Sequence, residues 1–188
     1  MDFSKIKGIL GDEFSRDVDF LSSIVSKLKL VKNSKVLDVG TGRGHMAILL
    51  ALHGYKVLTG EPEGVNWGDW KTPAKKLNVE DMIIYTPFNA EKIPFEDASF
   101  DAIFLYATFH HIGNKKLALS EFQRVMKPKG TLIIIELTDE GVEVVRERWR
   151  GHPDAVDPRT YTNDLVFKVK VIESNYLNAY IYRRIINK

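Results

Sequence analysis

The stretch VLDVGTGRGHMAILLA, from Val36 to Ala51, decides the fold of this chain of 188 residues. Its first residues read as a buried β-strand, and HMAILLALHG reads as a helix that ends at Gly54. Between the two lie Gly40, Gly42 and Gly44, which permit positive φ in a tight turn and let a ligand approach bare backbone. The N-terminus of the helix offers N–H groups to such a ligand. This strand–loop–helix unit predicts a nucleotide-like binding site.

Strand-like apolar runs alternate with helical patterns on both sides of this unit. Four further strands are predicted at Lys56–Gly60, Met82–Tyr85, Asp101–Ala107 and Thr131–Leu137. Helices are predicted at Val18–Leu30, about Trp67–Leu77, Asn114–Met126 and Asp139–Arg150. Near the end of the chain, LVFKVKVIES and NAYIYRRII alternate apolar and polar residues across a short turn. We therefore expect an α/β fold with a Rossmann-like, doubly wound, mostly parallel sheet and an antiparallel C-terminal hairpin strand.

The composition excludes several classes of protein. Hydrophobic residues make up 44% and charged residues 28%, which excludes wholesale disorder. The absence of cysteine excludes disulfides, thiolate metal sites and a cysteine nucleophile. A net charge of +2 is too small to indicate nucleic-acid binding by itself. No apolar run approaches the roughly 18–20 residues that span a bilayer, and the acidic segment MDFSKIKGILGDEF is unlike a signal peptide, so we expect a cytoplasmic location.

The spacing of the glycines separates two kinds of nucleotide-like ligand. A dinucleotide fingerprint, G-x-G-x-x-G/A, needs a small sixth residue so that helix and strand pack closely. That position is His45 here, which disfavours a dinucleotide oxidoreductase. The chain has G-x-G-x-G instead, and Asp38 precedes it.

In this pattern the sequence resembles the class I S-adenosylmethionine-dependent methyltransferases, whose first motif is an acidic residue followed by G-x-G-x-G. The second signal of that family is an acid after the second strand, which binds the ribose hydroxyls. Glu61 in KVLTGEPEG takes this position, 17 residues after Gly44. A carboxylate can accept two hydroxyl hydrogen bonds at once. Glu63 is the alternative acid if the register differs.

A longer resemblance points to the small-molecule branch of the family, the type found in quinone biosynthesis. It lies in FNAEKIPFEDASFDAIFLYATFHHI and continues through EFQRVMKPKGTLIIIE, so that the resemblance covers about residues 30–137. Relatives usually have Asp-Ala where this chain has Asn89 and Ala90, the pair that contacts the adenine, and Asn89 can still accept through its amide oxygen. The segment from Tyr106 to His111 corresponds to the one that contacts the methionine part of the cofactor.

The resemblance implies S-adenosylmethionine as the cofactor and methyl transfer to a nucleophilic atom, with a small-molecule acceptor favoured. The cofactor-binding residues that it implies are Asp38, Gly40, Thr41, Gly42, Gly44, Glu61, Asn89, Ala90 and Tyr106. An RNA or protein methyltransferase and a noncatalytic S-adenosylmethionine-binding subunit stay open as alternatives. The acceptor, the pathway and the oligomeric state are not indicated by the sequence.

We expect one domain over residues 1–188, because no Pro/Gly/Ser-rich linker divides the chain. Within it we expect an N-terminal helical segment at 1–33 and a cofactor-binding core at 34–137. The last helix and the terminal hairpin would occupy 138–188.

Two adjacent histidines are the candidates for catalysis. His110 or His111 could take a proton from a hydroxyl, a thiol or an acidic carbon beside the methyl donor. Transfer to an already nucleophilic atom can proceed by alignment alone, so no base is obligatory. On the substrate side we expect Tyr106, His111 and Tyr176.

Topology separates the remaining candidates, because ligands of open α/β sheets bind at the carboxyl ends of the strands. Asp101 begins the fourth strand and is therefore interpreted as structural. If the first hairpin strand is parallel to the others, it ends near Glu173 on the cofactor side. Tyr176 would then lie closer to the sulfur of the cofactor than His152, whose loop GHPDAVDP we place at the opposite edge.

No metal site is expected from the sequence. His152, Asp154 and Asp157 are close together, but proline and other turn residues surround them, so they are interpreted as a loop. The three arginines around Trp149 are interpreted as a solvated helix face.

Overall fold

Short apolar runs of the sequence form a seven-stranded sheet in a computed structural model that describes residues 3–162 and 167–185. The strand order is β3-β2-β1-β4-β5-β7-β6. The strands are β1 (Val36–Val39), β2 (Val57–Gly60), β3 (Ile83–Tyr85), β4 (Phe100–Tyr106), β5 (Met126–Leu137), β6 (Phe167–Glu173) and β7 (Leu177–Arg184). Strands β1 to β5 pair in parallel, and β7 pairs antiparallel with both β5 and β6. The predicted fold class is confirmed.

Helices cover both faces of this sheet. They are α1 (Phe3–Leu10), α2 (Asp12–Leu28), α3 (His45–Leu52), α4 (Lys71–Lys76), α5 (Lys115–Val125) and α6 (Asp139–Arg146), with single 3-10 turns at Glu80–Met82, Phe109–His111 and Pro158–Tyr161. Among the described residues, none of these helices combines the length and apolar character that crossing a bilayer requires.

The core consists of two layers, because successive side chains of a strand point to opposite faces of the sheet. On β4, Ala102 and Phe104 pack with the layer that contains α1, α2 and α3. Ile103 and Leu105 pack with the layer that contains α5. All four are fully buried, which explains why β4 reads as a continuous apolar run.

The amino edge of the sheet carries the ion pair expected of a structural Asp101. Its carboxylate accepts from the backbone N–H of Lys35 and from Nζ of Lys127, each at 2.8 Å. This contact ties β4 to the residues that precede β1 and to β5, far from the carboxyl edge.

Several predicted elements differ from the structure at their ends. Helix α2 begins at Asp12 rather than Val18, and β5 begins at Met126 rather than Thr131. Pro73 does not interrupt α4, because it lies in the first turn, where backbone N–H groups have no helical partner. Helix α6 starts after Thr138, whose hydroxyl accepts from the N–H of Gly141 as an N-cap, but it ends at Arg146 rather than Arg150. This early end decides where the following residues lie.

Candidate functional site

A cavity of about 620 Å³ opens at the carboxyl edge of the parallel strands. The loop after β1, the first residue after β2 and the residues after β4 line one side of it, and α2 and the segment after α6 line the other. A second cavity of about 570 Å³ shares Thr41, Gly42, Glu61 and Trp67 with the first. The two cavities therefore adjoin over the glycine loop.

The three glycines of this loop have two different roles. All have positive φ, at +88° for Gly40, +53° for Gly42 and +82° for Gly44. A Cβ at Gly40 would collide with the side chain of Thr108, and one at Gly44 would lie 2.6 Å from Cβ of Trp70. A Cβ at Gly42 would have no atom within 4 Å. Two glycines therefore permit close packing of the protein, and Gly42 presents bare backbone to open space.

Glu61 lies directly beside Gly42. Its Oε1 accepts from the N–H of Gly42 at 2.6 Å, and its side chain lines both cavities. Burial raises the pKa of Glu61, and the hydrogen bond from Gly42 opposes that rise. Glu63, the alternative acid, is exposed and lines neither cavity. Of the two acids, Glu61 is the one that lies at the cavities, and its contact with the ribose stays a prediction.

Asp38 lies beneath the loop and lines neither cavity. Its Oδ2 accepts from the hydroxyl of Thr59 at 2.8 Å, and that hydroxyl lies 2.9 Å from the hydroxyl of Thr41. Burial raises the pKa of Asp38 to about 8. The hydrogen bond from Thr59 opposes this rise, and the charge of Glu61 adds to it. This geometry indicates a residue that supports the loop from below, and its contact with a ligand stays a prediction.

Asn89 and Ala90 lie at the same edge of the sheet, just beyond Phe88, whose N–H donates to the carbonyl of Glu61 at 2.9 Å. Neither residue lines the two cavities. Oδ1 of Asn89 accepts from the N–H of Glu91 at 2.8 Å, so a local turn already uses this oxygen. Their contact with the adenine stays a prediction.

Tyr106 lines the cavity and also anchors α2. Its hydroxyl donates to Oδ2 of Asp17 at 2.6 Å, and Asp17 is buried and pairs with Arg16 at the same distance. The guanidinium of Arg16 lies 5.2 Å from the centre of the Tyr176 ring. Sequence reasoning missed Asp17, although helical spacing places it on the apolar face formed by Phe14, Val18 and Leu21.

Three histidines, His110, His111 and His152, lie together at one end of the cavity. Nδ1 of His110 lies 2.6 Å from Oε2 of Glu136, and both side chains are buried. Oε1 of Glu136 accepts from the N–H groups of Thr108 and Phe109. The ring centres of His152 and His110 are 4.7 Å apart. Nothing in the sequence singled out Glu136, a polar residue near the end of the buried strand β5.

His111 lies between two tryptophans that sequence reasoning also missed. Its ring centre is 5.8 Å from that of Trp67 and 6.0 Å from that of Trp149, with near-parallel planes. Burial and the neighbouring histidines and Lys115 lower the pKa of His111 to about 4. A ring with this pKa is a weak base, which disfavours His111 as a general base near neutral pH.

The prediction that His152 lies at the opposite edge of the sheet is wrong. Helix α6 has eight residues and is only about 12 Å long, so it ends before it has crossed the sheet. Its last residue, Arg146, then donates to the carbonyl of His152 at 2.8 Å and holds the chain at the carboxyl edge.

The interpretation of residues 146–150 as a solvated helix face agrees with the exposure of residues 147–150, but the helix itself ends at Arg146. Arg148 and Trp149 line the cavity, and Arg146 pairs with Asp154. Tyr176 does lie at the carboxyl edge as predicted, since its carbonyl accepts from the N–H of Thr138, but its side chain does not line the cavity.

The strand order, the glycine loop and the carboxylate after β2 together define the class I Rossmann-like methyltransferase fold. Residues 37–134 match the family described as a methyltransferase domain. The match covers more than half of the chain, and the chain belongs to this family. The resemblance to the class I S-adenosylmethionine-dependent methyltransferases is confirmed.

Individual relatives agree with this assignment. The chain is 28% identical over 152 residues to a demethylmenaquinone methyltransferase of Clavibacter sepedonicus, covering 81% of this chain and 57% of the relative. It is 32% identical over 125 residues to one of Thermotoga maritima, covering 66% and 52%. The chain thus spans about half the length of the curated relatives it matches. A SAM-dependent methyltransferase structure from Aquifex aeolicus superposes with a TM-score of 0.69 at 24% identity, covering 97% of this chain and 98% of that one.

Proposed function

We propose that this chain is an S-adenosylmethionine-dependent methyltransferase that acts on a small molecule. The observation that carries the proposal is the position of Gly42 and Glu61, which both adjoining cavities share. An elongated ligand that occupies both cavities would pass over the open backbone of Gly42 and beside a carboxylate. A ribose with two hydroxyls fits such an acceptor.

The cofactor supplies an electrophilic methyl group on a sulfonium, so the protein mainly has to bind and orient the two reactants. In this proposal Glu61 accepts from the ribose hydroxyls, and Thr41 and Gly42 contact the cofactor through the loop. Gly40, Gly44 and Asp38 keep the loop in its shape. The adenine lies near Asn89 and Ala90, and Tyr106 closes the cavity on the side of α2.

Several features support a small acceptor over RNA or protein. Arg16 on α2, Trp67 after β2 and Trp149 after α6 line the cavity, which is a partly open pocket and not a flat surface. Its volume of about 620 Å³ falls in the range of small-molecule sites. The relatives named as demethylmenaquinone methyltransferases favour the same class of acceptor. A cytoplasmic location is part of this proposal.

Calorimetry with S-adenosylhomocysteine, S-adenosylmethionine and NAD tests the cofactor, and methyl transfer to a panel of hydroxylated small molecules tests the activity. We expect both S-adenosyl ligands to bind, NAD not to bind, and at least one small molecule to be methylated. Binding without turnover on a broad panel would favour the noncatalytic subunit. RNA that copurifies with a steep salt dependence would favour an RNA substrate. Binding of NAD alone would contradict the proposal.

A further inference from the structure

Three histidines from two distant parts of the chain meet at one end of the cavity. One ring nitrogen from each of His110, His111 and His152 lies within 4.8 Å of the other two. His110 and His152 are buried and His111 is exposed. His111 and His152 line the cavity, so the cluster borders the space in which a methyl acceptor would lie.

The hydrogen bonds of the two buried rings determine which nitrogen of each carries the lone pair. Nδ1 of His110 faces the carboxylate of Glu136, and Nδ1 of His152 faces the carbonyl of Pro153 at 2.8 Å. Both partners can only accept, so each Nδ1 carries the hydrogen and each Nε2 carries a lone pair. Nε2 of His110 is buried and has no hydrogen-bond partner among the described residues. Metal-binding histidines show this same pattern, with the second nitrogen held by a carboxylate or a carbonyl.

We propose that His110, His111 and His152 bind one divalent transition-metal ion of the zinc type. Neutral imidazoles suit zinc, copper, iron and nickel. At a metal–nitrogen distance of about 2.0–2.1 Å, tetrahedral ligands lie about 3.3 Å apart, so the ion would draw the three rings together. His111 is the one exposed ligand of the three, and its ring contacts the side chains of Trp67 and Trp149.

Three protein ligands leave the fourth position of a tetrahedral ion for water or substrate. Because two of the ligands line the cavity, this position faces the acceptor end. This part of the inference rests on the proposed function and assigns the acceptor to hydroxyl-bearing small molecules. The hydroxyl binds the ion and releases its proton to solvent at a lower pH than it would when free. Its oxygen then bonds to the methyl carbon as the carbon–sulfur bond breaks, and the electron pair stays on sulfur in S-adenosylhomocysteine.

Zinc titration of the full chain by calorimetry, with metal content measured after dialysis, tests the site. We expect one ion per chain in the wild type and at least a tenfold loss of affinity in His111→Ala and His152→Ala. Glu136→Gln should lose about 10–100-fold, the usual effect of removing the partner of a metal-binding histidine. His53→Ala is the matched control, because His53 faces the hydroxyl of Ser22 at 3.0 Å and lies outside the cavity. It should bind zinc as the wild type does.

Calorimetry with S-adenosylhomocysteine on the same variants separates this inference from the proposed function. His111→Ala that binds S-adenosylhomocysteine but has lost zinc supports the metal site and shows that the variant is folded. A wild type that binds S-adenosylhomocysteine but no zinc overturns the metal site alone, and the rings are then a packed aromatic wall. The metal site is also overturned if His111→Ala and His152→Ala bind zinc as tightly as the wild type does. If methylation of a hydroxylated acceptor continues unchanged after the metal is removed by a chelator, the acceptor hydroxyl does not need the fourth position of the ion. That result would overturn this part of the inference.

Discussion

At the scale of single residues, Gly42 is the position where a side chain would meet ligand and not protein. Gly42→Val should abolish binding of S-adenosylhomocysteine while the chain still folds, because the space around its Cβ is empty of protein atoms. Calorimetry measures the binding and circular dichroism the fold.

Gly54→Val is the matched control for Gly42→Val. Gly54 has a φ of +88° and no atom within 4 Å of its Cβ position, but it lies after α3 and away from the glycine loop. A β-branched residue is strained at positive φ in both variants, yet only Gly42→Val should lose binding. Normal binding by Gly42→Val would show that the loop does not contact the cofactor.

Glu61 is the second residue whose replacement should act on the cofactor. Glu61→Ala should weaken binding of S-adenosylhomocysteine by about 1–3 kcal/mol, the cost of losing charge-assisted hydrogen bonds. The same variant should discriminate little against the 2′,3′-dideoxyribose analogue, which lacks both hydroxyls. Calorimetry with the two ligands measures this, and Glu63→Ala serves as the control. A strong preference of Glu61→Ala for the natural ligand would place the ribose acid elsewhere.

The role of a single residue could be predicted where local backbone conformation determines it. It was harder to predict where contacts with distant parts of the chain determine it. The spacing of Gly40, Gly42 and Gly44 was enough to locate the loop, because positive φ in a short turn is a local property. The spacing did not show that, of the three glycines, only Gly42 faces open space. The residues that pack against the other two, Thr108 and Trp70, come from distant parts of the chain.

At the scale of elements, the contact between Tyr106 and Asp17 holds α2 against β4. Tyr106→Phe removes one hydrogen bond to a buried carboxylate, so the free energy of unfolding should fall by about 1.5–3 kcal/mol, the range for bonds to charged groups. Urea denaturation measures the change. Tyr85→Phe, at a partly exposed tyrosine of β3, should change stability much less. Equal losses in the two variants would contradict an anchoring role for Tyr106.

The strands could be predicted from the sequence because β1 to β5 contain short apolar runs and the two hairpin strands alternate apolar and polar residues. The length of α6 could not, because its helical pattern continues past Arg146. Trp149 leaves that pattern to stack on His111, a tertiary contact that overrides local propensity. His152 was expected at the opposite edge because its loop precedes β6, but the chain stays at the carboxyl edge after α6, where Arg146 donates to the carbonyl of His152.

At the scale of the whole molecule, the path of the chain after α6 reverses our expectation of which residue lies nearer the ligand, His152 or Tyr176. His152 lines the cavity and Tyr176 does not, so under the proposed function His152→Ala should reduce turnover more than Tyr176→Ala. Steady-state kinetics with one acceptor compares them. A larger loss in Tyr176→Ala would show that the hairpin turn, and not the segment after α6, contacts the acceptor.

The histidine cluster shows the limit of sequence reasoning at this scale. His111 and His152 are separated by 41 positions, and no local spacing relates them. Only the sheet order and the early end of α6 bring them together.

The segment after α6 also has a consequence for how such a chain can change over time. Arg148, Trp149 and His152 lie beyond residues 37–134, the part that matches the methyltransferase domain, and so does Arg16 on α2. Under the proposed function, the cofactor end of the cavity lies within the domain, and the acceptor end is shared between the domain, which supplies His111, and the flanking segments. Mutation of the flanks can therefore retune acceptor choice with little effect on the use of the methyl donor. Exchange of residues 147–152 between relatives would be one step by which a new acceptor specificity arises.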